Sequence, residues 1–246
     1  LLLGPSPGDA GLRSGVAQGL ERQDLLQHWT MTLTARIAAP GSGAAIARPV
    51  ALVEDPMMGR WSRILLAFAA LLLVSSYFAP LWHIALKAPQ YPEGLGMYIW
   101  SNQITGDLRS INGLNHYIGM REIHPESIPE LRLMPTVIGV LIGLGVLVAL
   151  WGRRVGLYLW TGLFALGAVI GLADFWKWGY DYGHNLDPEA AIKISGMSYQ
   201  PPLIGPKQLL NFEATSWPAA AGLLAVGSLA VAVALSVVEW RRVRAS

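Results

Sequence analysis

The stretch MPTVIGVLIGLGVLVALWGRRVGLYLWTGLFALGAVIGL, residues 134–172, decides the fold. It contains two apolar runs, about 134–151 and 155–172, and only the tripeptide Gly152–Arg154 separates them. A helix of about 20 residues rises about 30 Å, which matches the hydrocarbon thickness of a bilayer. Because the link is so short, the two runs are predicted to cross a membrane as an antiparallel helical hairpin.

Both runs of the hairpin carry pairs of glycines spaced four residues apart. Gly139 and Gly143 lie in the first run, and Gly167 and Gly171 lie in the second. Small residues at this spacing allow helix backbones to approach closely. We expect them to pack helices together within the chain, with dimerisation as the alternative.

Two further apolar runs, about 64–82 and 217–238, are also long enough to cross a membrane. Arginines mark the same end of all four runs: Arg60, Arg63, Arg153, Arg154, Arg241, Arg242 and Arg244. Lys and Arg beside a membrane span are retained in the cytoplasm. The pattern therefore predicts four spans with both termini cytoplasmic.

The two long connections between the spans, 83–133 and 173–216, have the opposite charge balance. Together they hold seven basic residues against ten acidic ones. Connections of this length are usually structured or functional. The sequence thus predicts an all-α membrane protein with four transmembrane helices, in which two long structured periplasmic loops form a small cap.

Composition supports a membrane protein and excludes several functions. The chain is 53% hydrophobic and 14% charged, with a formal net charge of +2 at pH 7 and no cysteine. So small a charge gives no reason to expect a nucleic-acid partner, and the bilayer is the expected environment. The lack of cysteine excludes disulfides, thiolate metal sites and thiol–disulfide exchange.

Residues 1–56 and 57–246 differ in character. Residues 1–56 are rich in Gly, Ala, Pro, Arg and Leu with little periodicity, and Met57 and Met58 stand just before Arg60 and Arg63. We interpret residues 1–56 as a disordered tail or as upstream sequence, and residues 57–246 as the four-helix membrane domain.

The four apolar runs contain no His, Lys, Arg, Asp or Glu. Proton pumps and ion-coupled transporters need polar groups at membrane depth, and a haem-b cytochrome needs paired histidines there. The connections show no phosphate-binding glycine loop and no hydrolase motif. The membrane part is therefore predicted to be a scaffold, and a non-enzymatic role is favoured.

The first connection holds candidate copper ligands. His116, Met120 and His124 lie four residues apart and would share one face of a helix. Imidazole and thioether groups together suit Cu(I). The alternative is ordinary packing or surface exposure. Further candidate ligands elsewhere in the two connections are His83, Met97 and His184.

The second connection opens with an aromatic run. Trp176, Trp178, Tyr180 and Tyr182 alternate, which is strand spacing with the rings on one face. We expect a platform for a partner or cofactor, formed with Asp174 and Asp187, or alternatively an interfacial aromatic belt. Asp187, Pro188 and Glu189 are typical of the start of a short helix.

Four segments of the connections resemble a known family. They are 88–95 (APQYPEGL), 111–120 (INGLNHYIGM), 176–188 (WKWGYDYGHNLDP) and 197–205 (MSYQPPLIG). The chain after Met57 is similar to small four-span membrane proteins associated with gene clusters for nitrous-oxide reductase and its copper-maturation factors. The resemblance implies the cytoplasmic (inner) membrane of a bacterium and a pathway, but no mechanism.

Three functions remain open at this point. The first is a non-enzymatic accessory protein for the assembly, maintenance or electron supply of a periplasmic copper enzyme, with Cu(I) as the possible cofactor. Its partners would be other maturation or electron-transfer proteins of nitrous-oxide reductase. The second is a quinol- or cytochrome-interacting redox subunit, and the third is a purely structural membrane subunit.

Overall fold

The computed structural model describes residues 57–192, 196, 198–209 and 211–245. The predictions for residues 1–56 lie outside these residues. The helices are α1 (Arg60–Leu72), α2 (Leu108–Ile118), α3 (Glu130–Trp151), α4 (Arg154–His184) and α5 (Ala220–Ala245). The strands are β1 (Trp82–Ala88), β2 (Tyr91–Ile99), β3 (Ile104–Gly106), β4 (Gly205–Leu209) and β5 (Phe212–Pro218). Short 3-10 helices lie at Leu73–Tyr77 and Pro125–Ser127.

Four of these helices form the membrane part. α1 with its 3-10 continuation, α3, α4 and α5 are each long and apolar enough to span a membrane. The prediction of four helices that are long and apolar enough to cross a membrane is confirmed. The main contacts run from α1 to α3, from α3 to α4, from α4 to α5, and from α5 back to α1. We call the end of this bundle that holds the arginine clusters the arginine end, and the opposite end the sheet end.

The bounds of the spans differ from the predicted ones where the helices meet the sheet. The first span ends at Tyr77, and Trp82 begins β1. The helix of the third span, α4, does not end near residue 172 but continues to His184. Trp217 lies in β5, just before the fourth helix. Trp82 and Trp217, which are the sheet-end residues of the first and fourth predicted runs, are therefore strand residues.

The prediction of an all-α fold is wrong, because the long connections fold into a five-stranded antiparallel sheet. The strand order is β3-β2-β1-β5-β4. β1 and β2 come from the first connection and pair through Ile84↔Met97. β5 comes from the second connection and pairs with β1 through Ile84↔Ser216. The two connections thus form one cap, but a β-sheet is its framework.

The sheet is joined directly to the membrane helices. Ala219 N donates to Leu81 O at 3.0 Å, and Ala221 N donates to Pro80 O at 3.0 Å. A Cβ at Gly222 would collide with the carbonyl oxygen of Leu81. Because glycine alone permits this approach, the start of α5 packs tightly against the chain entering β1.

One apolar core lies inside the helix bundle. Its fully buried side chains include Leu66 and Leu157, and Trp160 Nε1 donates to Leu141 O at 2.8 Å. Gly145 makes the close helix contact, since a Cβ there would lie 2.6 Å from Ala70 Cβ. Among the described residues, a Cβ at positions 143, 167 or 171 would meet nothing within 4 Å. Gly139 does have a close neighbour, since a Cβ there would lie 3.0 Å from the Tyr77 hydroxyl. In the described residues, only this one of the four predicted glycines makes a close contact.

At the arginine end, a buried carboxylate connects three of the helices. Glu239 has no exposed surface and accepts hydrogen bonds from Ser62 Oγ and Gly59 N. Arg154 Nε and Arg242 Nη1 each lie 2.8 Å from its oxygens. The carboxylate thereby links α1, α4 and α5. Sequence analysis treated these arginines as topology signals and did not predict this cluster.

A third arginine, Arg63, holds the hairpin turn at the same end. Arg63 Nε donates to Ala149 O at 2.9 Å, and its Nη2 donates to Leu150 O at 2.7 Å. These are carbonyls in the last turn of α3, which have no partner further along the helix. A cation is also favourable at this end of the helix dipole.

Candidate functional site at the sheet end

The aromatic run at the end of α4 is helical, which corrects the predicted strand spacing. Trp176 stacks on Tyr180 with ring centroids 5.5 Å apart, and Tyr180 stacks on His184 at 3.9 Å. On another face, the rings of Trp178 and Tyr182 lie 4.4 Å apart. The rings therefore do not share one face, because residues four apart are the neighbours on a helix.

One face of α4 presents an exposed aromatic column, which we define as Trp176, Tyr180 and His184. Trp176 is 50% exposed and Tyr180 is 42% exposed. His184 Nδ1 lies 3.0 Å from Tyr180 O, which orients the imidazole. Lys177 and Asp181 form an exposed ion pair at 3.0 Å on this part of the helix.

The other face of α4 helps to form the core of the cap. Phe175 meets Trp82 of β1 edge-on with ring centroids 5.4 Å apart, and it stacks on Trp178. Trp178 and Tyr182 pack against the buried side chains beneath the sheet. Of the four aromatic rings of the predicted platform, Trp178 and Tyr182 are packing residues, and Trp176 and Tyr180 are exposed.

The acidic residues of the predicted platform have different surroundings. Asp174 is exposed on α4. Asp187 Oδ1 accepts from Glu189 N at 2.8 Å, and Asp187 N donates to Gly119 O at 2.8 Å. The predicted helix start at Asp187 is wrong, since the described residues after it form a turn. Asp187 instead ties this turn to the end of α2.

The predicted helical face of copper ligands is interrupted. α2 ends at Ile118, where Gly119 adopts a left-handed conformation with φ of 78°. Met120 N then donates back to Asn115 O at 2.9 Å, which closes the helix end. His116 is therefore in the helix and exposed, whereas Met120 lies beyond it and faces an apolar cavity.

The other candidate ligands have separate environments. His124 is exposed beside Glu122 and Glu126, at 3.4 and 3.7 Å. His83 stacks on Tyr98 with ring centroids 4.3 Å apart, and Met97 is buried in the cap. Within the described ranges, no three His, Asp or Glu side chains come together as a metal-ligating group.

Two asparagines that sequence analysis did not single out organise this region. Asn112 bonds both backbone groups of Ile123, donating to its oxygen at 3.1 Å and accepting from its nitrogen at 2.8 Å. Asn115 Nδ2 donates to Arg121 O at 3.2 Å. The asparagines of INGLNHYIGM thus hold the segment 119–124 against α2. The two asparagines are three residues apart and therefore share one face of α2, and this spacing could have indicated their common role.

A cavity of about 70 Å³ lies between the sheet, α2 and the end of α4. Its walls are almost entirely apolar side chains, among them Ile84, Met97, Ile118 and Trp178. Tyr199, which follows α4 in the chain, closes another wall and is 3% exposed. Neither the cavity nor the role of Tyr199 was predicted, since the residues of the cavity walls are distant from one another in the sequence.

Comparison with known proteins adds no family to these observations. No protein-family model and no curated protein matches this chain.

Proposed function

We propose that this protein is a non-enzymatic accessory protein of a bacterial cytoplasmic membrane that docks a periplasmic partner through its exposed aromatic column. The proposed topology has both termini in the cytoplasm and the sheet end in the periplasm. The proposed partner is a copper enzyme, nitrous-oxide reductase, or a protein that serves its assembly, maintenance or electron supply.

The aromatic column is the observation that carries this proposal. Counted from Arg154 at about 1.5 Å per residue, Trp176 lies about 33 Å and His184 about 45 Å along α4. A hydrocarbon core is about 30 Å thick, so Trp176 lies just outside it, at the lipid interface, and His184 lies well beyond it. Aromatic side chains that are exposed but held by stacking suit a protein interface, where Trp and Tyr often dominate affinity.

The sheet supports docking because it makes the column rigid. Phe175, one residue from Trp176, is fixed against Trp82 of β1. The backbone bond between Ala219 and Leu81 then links the sheet to α5. A preformed surface loses less conformational entropy on binding than a flexible loop.

The class of partner rests on the resemblance of the four loop segments to proteins of nitrous-oxide reductase gene clusters. Asn112 and Asn115 give one of these segments a structural role. The segment 176–188 includes the aromatic column itself. The resemblance and the proposed docking surface therefore concern the same part of the chain.

A paired substitution tests the docking surface. In the double variant Trp176→Ala/Tyr180→Ala, capture of nitrous-oxide reductase or its maturation proteins should weaken at least about tenfold. The control Trp61→Ala/Trp240→Ala removes two exposed rings at the arginine end and should leave capture unchanged. Equal capture by both double variants and the parent would refute the proposed surface.

Reporter fusions test the proposed topology independently. Fusions after Arg154 and Arg244 should report a cytoplasmic location, and fusions at Asn115 and Asn185 a periplasmic one. A periplasmic signal at Arg154 contradicts the orientation.

His116 and Met120 are in addition the proposed ligands of a transient Cu(I) site. The two residues flank the turn at Gly119, and imidazole and thioether groups suit this ion. In His116→Ala/Met120→Leu, leucine retains the apolar volume at the cavity while the sulfur is lost. Cu(I) affinity measured against a competing chelator should fall, and unchanged affinity removes copper from the proposal.

A further inference from the structure

One residue that lines the cavity beneath the sheet, Tyr199, carries a polar group that packing does not explain. The Tyr199 hydroxyl is buried, and in the described part of the chain it has no hydrogen-bond partner. A buried hydroxyl without a partner is destabilising, whereas phenylalanine would fill the same space without that cost. The tyrosine is therefore best explained by a partner that binds in the cavity.

The backbone fixes the position of this tyrosine. Tyr199 N donates to Gly183 O at 2.9 Å, which fastens the segment to the last turn of α4. A Cβ at Gly183 would collide with the backbone of Gln200, so the last turn of α4 and the segment that holds Tyr199 are in direct contact. The backbone of Tyr199 is consequently held in place, and its side chain is buried.

The walls of the cavity define the chemistry of a ligand. Ile111 and Leu114 of α2, Ile84 and Leu86 of β1, and Trp178 of α4 offer only apolar surface. Asn115 also lines the cavity, but its amide nitrogen is engaged with Arg121 O. Such walls favour a hydrocarbon or ring with a single acceptor for the tyrosine hydroxyl.

The height of the cavity points to the membrane as the source of the ligand. Counted from Arg154, Trp178 lies about 36 Å along α4, just beyond a hydrocarbon core of about 30 Å. This is the level at which the carbonyl groups of lipids and the rings of prenylated quinones reach the interface. The cavity volume of about 70 Å³ suits one ring or a short length of chain.

We infer that this cavity binds the carbonyl-bearing part of an apolar membrane molecule, whose oxygen accepts a hydrogen bond from Tyr199. The carbonyl can belong to the ring of a prenylated quinone or to the acyl ester of a phospholipid. The remainder of either molecule extends from the cavity to the bilayer. This inference does not depend on the docking or copper proposals, since it uses neither the aromatic column nor His116.

Binding can be measured on the purified full chain by quenching of Trp178 fluorescence. One arm uses a short-chain ubiquinone analogue, and the other uses a phospholipid with brominated acyl chains, each titrated in detergent. The Trp178→Phe variant identifies the part of the signal that comes from this ring. Saturable quenching by either probe supports the inference, and the responding probe identifies the source.

Tyr199→Phe provides the decisive variant, because it retains the ring and removes only the hydroxyl. Loss of one hydrogen bond should weaken binding of the responding probe roughly two- to tenfold. Tyr117→Phe, which alters an exposed tyrosine outside the cavity, should bind like the parent. A melting temperature for Tyr199→Phe at or above that of the parent, without probe, shows that the variant is folded.

Two results would overturn the inference. One is the absence of saturable Trp178 quenching by both probes. The other is binding of the responding probe by Tyr199→Phe with the same dissociation constant as the parent.

Discussion

The two ends of the helix bundle treat buried polar groups in opposite ways. At the arginine end, the Glu239 carboxylate accepts hydrogen bonds from Ser62, Gly59, Arg154 and Arg242. At the sheet end, the buried hydroxyl of Tyr199 has no partner in the described residues. A saturated carboxylate locks helices together, whereas an unsatisfied hydroxyl is a group that a ligand can satisfy.

The two ends also differ in how the sequence encodes them. The groups around Glu239 are brought together by the antiparallel helices, whose termini are set by the apolar runs. The walls of the cavity depend on strand pairing between residues more than 100 positions apart, such as Ile84 and Ser216. The first arrangement follows largely from the topology of the spans, and the second requires the complete fold of the cap.

Removal of the Glu239 carboxylate should have the largest effect. Glu239→Ala leaves Arg154, which is almost buried, without its charge partner, and it should lower the free energy of unfolding by about 3–5 kcal/mol. Glu239→Gln should cost less, because its amide oxygen still accepts hydrogen bonds. Thermal unfolding in detergent provides the measurement.

Glu93→Ala serves as the control for this loss, since Glu93 is an exposed carboxylate on β2. If Glu239→Ala unfolds at the same temperature as Glu93→Ala, the hydrogen bonds and ion pairs of Glu239 do not stabilise the helix bundle.

An intermediate effect is expected at the junction between the sheet and the bundle. Gly222→Ala places a Cβ against the carbonyl oxygen of Leu81, so it should destabilise the fold by about 1–3 kcal/mol. Gly227→Ala makes the same substitution in the same helix, where a Cβ meets nothing within 4 Å. The melting temperature should fall for Gly222→Ala only, and equal melting temperatures would show that the junction tolerates a shift.

The smallest of these effects should be confined to the sheet end. Asn112→Ala removes both hydrogen bonds to Ile123 and should cost about 1–2 kcal/mol. Amide hydrogen exchange should become faster in the segment 119–124 while the membrane helices keep their protection. Asn102→Ala, at an exposed position, should leave exchange in this segment unchanged. Faster exchange throughout the chain would mean that the two ends are not independent.

The aromatic run shows why part of the site could not be predicted locally. Residues 176, 178, 180 and 182 alternate as in a strand. Each of them also has an aromatic neighbour four residues away, 176 with 180 and 178 with 182, which is helical spacing. The helix forms because α4 is already nucleated inside the membrane, and each added residue continues its hydrogen bonding. Period two was therefore compatible with both structures, and the strand interpretation was wrong.

At the candidate copper ligands, by contrast, the sequence held a signal that could have corrected the prediction. His116 and Met120 were predicted to share a helical face, and the residue that ends the helix, Gly119, lies between them. A glycine followed by the end of an apolar pattern is a known stop signal, so this break could have been predicted from the sequence. Whether the two residues bind Cu(I) stays a prediction.

The sequence by itself determined the four membrane helices. A long apolar run is unstable in water, and in a bilayer a helix satisfies all of its backbone hydrogen bonds within the segment. It also determined the hairpin, since Gly152–Arg154 is too short for any other connection. Only the tertiary structure decided that the connections form a sheet, that Glu239 is buried, and that Tyr199 faces a cavity. Each of these features depends on contacts between residues that are distant in the chain, and the local sequence does not predict which distant residues make contact.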